Sequence, residues 1–291
     1  MANFSLLLGA LAYCGSPPVP GALTWTLDPW LVLAWGSLTA LHLSHLAAGR
    51  PRRLALAGYG IALLAFVSPL CNLGVALFSA RVAQHVVLIL IAAPLIAAAT
   101  LPERGRRAPV GVGPLVLACG FFTAFLWAWH MPGPYDATFF SDLVYWAMHL
   151  SLFGSATVLW RLLMAGGVRQ PAMLVTGLIA GFQMSLLGSI LAFADRPFFA
   201  VHAATTAPWG LTPLDDQAIG GLIMWVPAGL LSVGVALYAL GAHLRRLEAA
   251  EPDAPVVPLA PAAYVQNGPM TVGKVSNMAT ARNSDALISP Q

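Results

Sequence analysis

The chain has 291 residues, of which 58% are hydrophobic and 9% charged, whereas soluble domains carry roughly 25% charged residues. At a mean hydropathy of +0.77 no soluble core could hide so much apolar surface, but a bilayer could. The net charge of +3 resides in short arginine clusters between apolar runs, the pattern of cytoplasmic loops rather than of a nucleic-acid-binding face.

In chain order, residues 1–24 form a short apolar N-terminal segment, either signal-like or interfacial. Seven apolar runs follow, near 28–48, 53–71, 76–100, 112–130, 142–164, 172–193 and 213–243, most of them close to the roughly 20 residues a helix needs to cross the hydrocarbon core. They are continuous rather than alternating, which excludes barrel strands. Residues 25–247 are therefore expected to form the membrane domain. From residue 248 the chain turns Pro/Ala-rich and then polar, the composition of a disordered cytoplasmic tail over 248–291.

Arginine sets the orientation. One set of connections holds Arg50, Arg52, Arg53, Arg104, Arg106, Arg107, Arg161, Arg169, Arg245 and Arg246, and the opposite set holds only Arg196, with Arg81 just inside a helix. Ten arginines against two place the richer set in the cytoplasm. The fold class is all-α: a polytopic transmembrane helix bundle of about seven spans, N-terminus outside and C-terminus cytoplasmic.

The span interiors hold no Asp or Glu, which disfavours proton-coupled pumps, and the only lysine, Lys274, lies in the tail, which excludes a retinal Schiff base. No nucleophile–base pair is visible, so an enzyme is not expected. The cysteines Cys14, Cys71 and Cys119 have no paired spacing, so neither a disulfide framework nor a CxxC metal site is indicated.

The helices do carry histidine, methionine and one arginine. At 1.5 Å per residue, His85, His149, Met184 and Met224 share a layer at or just above the midplane, and His130 with Met131 sits higher, where span four emerges. Imidazole and thioether together suit copper, and thioether selects the cuprous ion. The plainer alternative is that each histidine hydrogen-bonds across the bundle and each methionine fills space. Arg81 lies one turn outward of His85 and must either snorkel or find a partner such as Asp136 or Asp216. His42 and His45 read as structural, and His202 and His243 as solvated. In the last outer loop Thr212 can cap a helix, with Pro213 first and Asp215 three residues after the cap. Asp215 and Asp216 complement the helix dipole, and Trp209 and Trp225 suit an interfacial anchor.

Five stretches carry a family resemblance: FSARVAQHVVLILIAAPLIAA (78–98), WHMPGPYD (129–136), MHLSLF (148–153), LAFADRPFF (191–199) and WGLTPLDDQAIGGLIMWVPAG (209–229). Together they resemble the polytopic CtaG family of cytochrome c oxidase assembly factors over roughly residues 25–245. The most specific part includes Asp216, Gln217, Gly220, Met224, Trp225 and Pro227. The intact WHMPGPYD motif brings His130, Tyr135 and Asp136 with it. By family pattern span three reads His-Met-x-x-His; here Arg81 and Val82 stand at the first pair and His85 at the last. In span five Tyr145 and Met148 stand where a His and a Glu are usual, before His149.

The resemblance implies a bacterial inner-membrane protein that assists assembly of a haem-copper oxidase through copper delivery at the outer face. The resemblance does not by itself identify ligands; on the shared depth described above, copper(I) would bind transiently at His85, His149 and Met224, with His130 and Met131 as a relay at the mouth. The implied partners are oxidase subunits, a periplasmic copper chaperone and membrane lipids, with no nucleic acid. Two alternatives are a metal-free scaffold for oxidase subunits and a haem-binding membrane cytochrome in which paired histidines ligate haem.

Overall fold

The computed structural model describes residues 12–101, 111–165 and 170–250, without the side chains of 170, 242, 243 and 246–250. Outside the described residues lie positions 1–11 of the N-terminal segment, the connection holding Arg104, Arg106 and Arg107, the loop arginine Arg169, the His243 side chain, and the tail from 251 onward. The chain divides into two units, Met1–Arg246 and Leu247–Gln291; everything below concerns the first.

Among the described residues the structure is all-helical. The elements are α1 (Pro29–Ser44), α2 (Arg50–Val67), α3 (Pro69–Ala76), α4 (Phe78–Val87), a π-helical turn (Leu88–Ala92), α5 (Ala93–Ala99), α6 (Val112–Trp129), α7 (Pro132–Ala137), α8 (Asp142–Met164), α9 (Gln170–Ala192) and α10 (Pro213–Ala250). Among the described residues five helices are long and apolar enough to cross a membrane: the rod Phe78–Ala99, α6, α8, α9 over Pro171–Ala192, and α10 over Pro213–Gly241. The pair α2–α3, bent by 47°, makes a sixth. At 16 residues α1 is about 24 Å long, short of the ~30 Å core. Five or six helices thus qualify where the sequence pattern gives seven.

The breaks have local causes. Pro69 has no N–H for the carbonyl of Ala65, one turn back; that carbonyl accepts instead from the Gln84 side chain at 2.8 Å, and Ser68 caps α3. Pro94 has the same effect in the third rod. There Ala93 N–H reaches back five residues to Leu88, the Ile89 carbonyl is left over, and the Trp160 indole donates to it at 2.9 Å. The π turn is therefore a proline accommodation held by a neighbouring helix.

Helix ends follow sequence signals. Asp28 caps α1 ahead of Pro29, and Ser141 caps α8. Before α10, Thr212 and Asp215 form a capping box, with Thr212 Oγ1 donating to Asp215 Oδ2 at 2.6 Å and Asp215 N–H donating to Thr212 Oγ1 at 3.1 Å, as the sequence predicts. Asp216 acts differently from the expectation that it serves its own helix. Fully buried, it accepts from Phe78 N–H at 2.6 Å, from Ser79 N–H at 3.1 Å and from the Ser79 hydroxyl, so it caps α4 from across the bundle. Leu77, the cap position of α4, has no side chain able to do so.

Two large apolar clusters fill the bundle, and a third, small one gathers Ala76, Leu77 and Ala80. Of the large pair, one joins α3, α4, α6, α8, α9 and α10 with Cys14 and Phe199, and the other joins α1, α2 and the π–α5 segment. Glycine permits the closest crossing: a Cβ at Gly188 of α9 would meet the Gly221 carbonyl of α10 at 2.7 Å, the small-residue contact of membrane helices.

Across one end of the bundle, residues 12–28 run as a strap. Cys14 and Cys71 are disulfide-bonded with Cα atoms 5.6 Å apart, which overturns the reading that no disulfide is indicated. The pair is 57 residues apart in sequence, so no local spacing announces it. Asn72 holds the strap, donating to the carbonyls of Cys14 at 3.0 Å and Ser16 at 2.9 Å, and the Trp209 indole donates to the Pro18 carbonyl.

Candidate functional site

Three histidines from three helices meet beneath this strap. His85 stands on α4, His149 on α8, and His130 terminates α6. The His85 and His149 ring centroids are 5.1 Å apart, those of His85 and His130 6.0 Å, both in edge-to-face contact. All three side chains are buried. His130 therefore belongs to the cluster itself rather than to a higher relay. Direct edge contact leaves no gap for a porphyrin between His85 and His149.

The hydrogen bonds fix two tautomers. His149 Nδ1 donates to the Tyr145 carbonyl at 2.9 Å and His130 Nδ1 to the Leu126 carbonyl at 2.7 Å, which leaves each Nε2 with a free lone pair. A backbone carbonyl orienting Nδ1–H is the usual support for a metal-binding imidazole. The Nε2 of His149 and both ring nitrogens of His85 are buried without a hydrogen-bond partner, an arrangement that costs about 1–3 kcal/mol per group.

This donor set fits copper(I). Buried imidazole nitrogens without a partner stand on two rings in contact, they add no negative charge beside lipid, and two imidazoles suffice for a cuprous ion, which tolerates low coordination. Among the described residues no group of three or more His, Cys, Asp or Glu is placed to hold a metal, which excludes a closed site of the zinc type. Met224, Met184 and Met148 are buried in the same apolar cluster. Met131, next to His130 in the chain, is 54% exposed.

Arg81 does not snorkel. It is 2% exposed, its Nε and one terminal nitrogen donate to the Gly74 carbonyl at 3.3 Å, and its guanidinium carbon lies 4.9 Å from the Phe139 ring centroid and 5.1 Å from that of Tyr145. Its other terminal nitrogen, Nη1, has no partner. Neither expected carboxylate pairs with it, because Asp216 is committed to α4. Tyr145 links the layers: its ring lies 4.2 Å from that of His149 and its hydroxyl is 3.4 Å from both Cys14 Sγ and Cys71 Sγ.

Other motif residues form a polar frame at the same end of the bundle. Tyr135 is buried and donates its hydroxyl to His202 Nε2 at 2.8 Å, while His202 Nδ1 donates to the Ala76 carbonyl at 3.2 Å. Contrary to the solvated reading, His202 is 1% exposed, and burial, with the Arg81 charge adding to it, pushes its imidazole down to about 3. It fills the carbonyl left over where α3 ends, a signal the sequence does not display. Asp136 has one carboxylate oxygen without a partner, and desolvation raises its carboxyl to about 6. Gln217 ties the loop between α9 and α10 to α10, accepting from Phe198 N–H at 2.6 Å and donating to the Leu191 carbonyl. Trp225 packs edge-on against Phe193. His42, read as structural, pairs with the Tyr59 hydroxyl at 2.9 Å.

A family model described as cytochrome c oxidase caa3 assembly factor matches residues 30–246, a range that contains every one of these residues except the strap. No curated protein and no solved structure matches the chain.

Proposed function

Because the chain belongs to the cytochrome c oxidase caa3 assembly factor family, called CtaG, we propose that it carries copper(I) to the oxidase and releases it at the outer face of the bacterial inner membrane. The carrying observation is the buried contact of His85 with His149, in which both His85 ring nitrogens and the His149 Nε2 lack a protein partner. Copper is cargo in this reading, held by His85 and His149 with His130 beside them. The uncompensated guanidinium of Arg81 opposes a second positive charge nearby, which keeps the affinity low enough for release.

The orientation belongs to the same proposal. The arginine asymmetry puts the connections after α1, α5 and α8 and the carboxyl end in the cytoplasm, with α1 as a seventh span lengthened by the extended residues before it. The disulfide supports this independently, because such bonds persist in oxidising compartments such as the periplasm. The strap, the Cys14–Cys71 bond and the histidine cluster then all lie toward the outer face, where an oxidase subunit or a periplasmic copper chaperone meets the protein. Lipid covers the exposed apolar faces, such as Leu33, Leu143 and Leu230.

The test is copper(I) stoichiometry of purified protein, wild type against His85→Ala/His149→Ala. The double variant is expected to lose the bound copper. Equal stoichiometry removes the site.

A further inference from the structure

We infer that Cys14 and Cys71, once reduced, form a second copper(I) site at the outer mouth of the histidine cluster, with their disulfide as its closed state. The inference rests on the copper reading above but uses different atoms and a different observation.

Position comes first. Cys71 lies on α3 and is fully buried; Cys14 lies on the strap and is 3% exposed. The Tyr145 hydroxyl touches both sulfurs, and the Tyr145 ring packs on His149. A single side chain thus separates the sulfur pair from the imidazoles. Tyr13, next to Cys14, stacks on Tyr145 at 4.9 Å, so the strap roofs the cluster and its one covalent tie is this bond.

Charge is the second argument. Arg81 is a buried cation that no carboxylate neutralises, with Nη1 unpartnered. Its guanidinium is pinned to Gly74, three residues beyond Cys71 on the same helix, and sits against the ring of Tyr145. Gly74 allows this approach, since a Cβ there would meet Arg81 Nε at 3.2 Å. A buried unpaired charge is expensive. Two thiolates binding one cuprous ion carry a single net negative charge, which would neutralise Arg81.

The chemistry balances. A dithiol reductant gives two electrons and two protons and becomes a disulfide, while the Cys14–Cys71 bond breaks to two thiols. One copper(I) ion then displaces both thiol protons to solvent and binds two sulfurs, the soft ligands that select it. The metal keeps its oxidation state throughout. Thiolate ligation and the disulfide are mutually exclusive, so the oxidised pair cannot carry this ion and reduction is required before loading.

The experiment uses the full chain in detergent with Cys119→Ser as background, since Cys119 is the remaining thiol. Protein is held oxidised, or reduced with dithiothreitol that is then removed, and copper(I) in acetonitrile is added without oxygen. Bound metal is counted after desalting. Reduction is expected to add about one copper per chain. That increment should vanish in Cys14→Ser/Cys71→Ser and persist in His85→Ala/His149→Ala, with sulfur ligation visible in copper X-ray absorption. Equal copper in reduced and oxidised protein overturns the inference, as does an increment that survives the double serine variant. Failure of the histidine reading is separate: it appears as unchanged copper in the oxidised His85→Ala/His149→Ala protein.

Discussion

Asp216 and Asp215 are adjacent in sequence and differ in everything the fold does with them. Asp215 is exposed and completes a capping box on its own helix, a contact worth about 0.5–2 kcal/mol. Asp216 is buried and holds three donors of α4, each costing about 1–3 kcal/mol if orphaned. Asp216→Ala should therefore lower the thermal midpoint in detergent well below that of Asp215→Ala; equal midpoints would contradict the capping of one helix by another. Asp136 offers a pH test. Desolvation raises its carboxyl to about 6, so the folded state holds a proton more tightly than the unfolded chain, and the associated stability is present at low pH and lost as pH rises through 6. Asp136→Asn should gain on wild type in thermal midpoint between pH 4 and pH 7, and a constant difference across that range would show that the carboxyl is not perturbed. At this scale the sequence displays the Thr212–Asp215 box plainly, because its partners lie three residues apart. It hides the burial of Arg81, His202 and Asp216, whose partners come from distant segments.

At the scale of elements, proline sets the breaks and neighbouring helices repair them. The Trp160 indole holds the Ile89 carbonyl released at the π turn. Trp160→Phe keeps an aromatic ring but leaves that carbonyl without a donor, so a loss of about 1–3 kcal/mol is expected in thermal unfolding. No change in midpoint would mean that the turn needs no such support. The contact of α9 with α10 is governed by Gly188 and Gly221, where a side chain would run into the facing backbone. Gly188→Leu should force those helices apart and depress the yield of folded protein, while Gly234→Leu, at a position with nothing within 4 Å, should not. Span limits were legible from hydropathy to within a few residues for the rod 78–99 and for α6, α8 and α9. The short α3 was not legible as a separate helix, because an apolar run carries no mark of a 47° bend beyond its proline.

For the whole molecule, composition and arginine placement already implied a membrane bundle, and the family match gives the assembly role. The depth argument brought His85 and His149 to one layer, and the structure joins their rings. It also adds His130, which the count along a straight helix had set too high. The sulfur pair above the cluster stayed hidden because residues 14 and 71 come together only once the strap has folded over α3. Tyr145 stands between the two, its hydroxyl on both sulfurs and its ring on His149, with the Arg81 guanidinium against that ring.

The most direct test is complementation of a deletion strain at limiting copper with wild type or with His85→Ala/His149→Ala. The variant is predicted to accumulate in the membrane like wild type yet leave the oxidase without its copper and activity, with excess copper restoring both. Full oxidase assembly by the variant at limiting copper would contradict the account and leave a metal-free scaffold in its place.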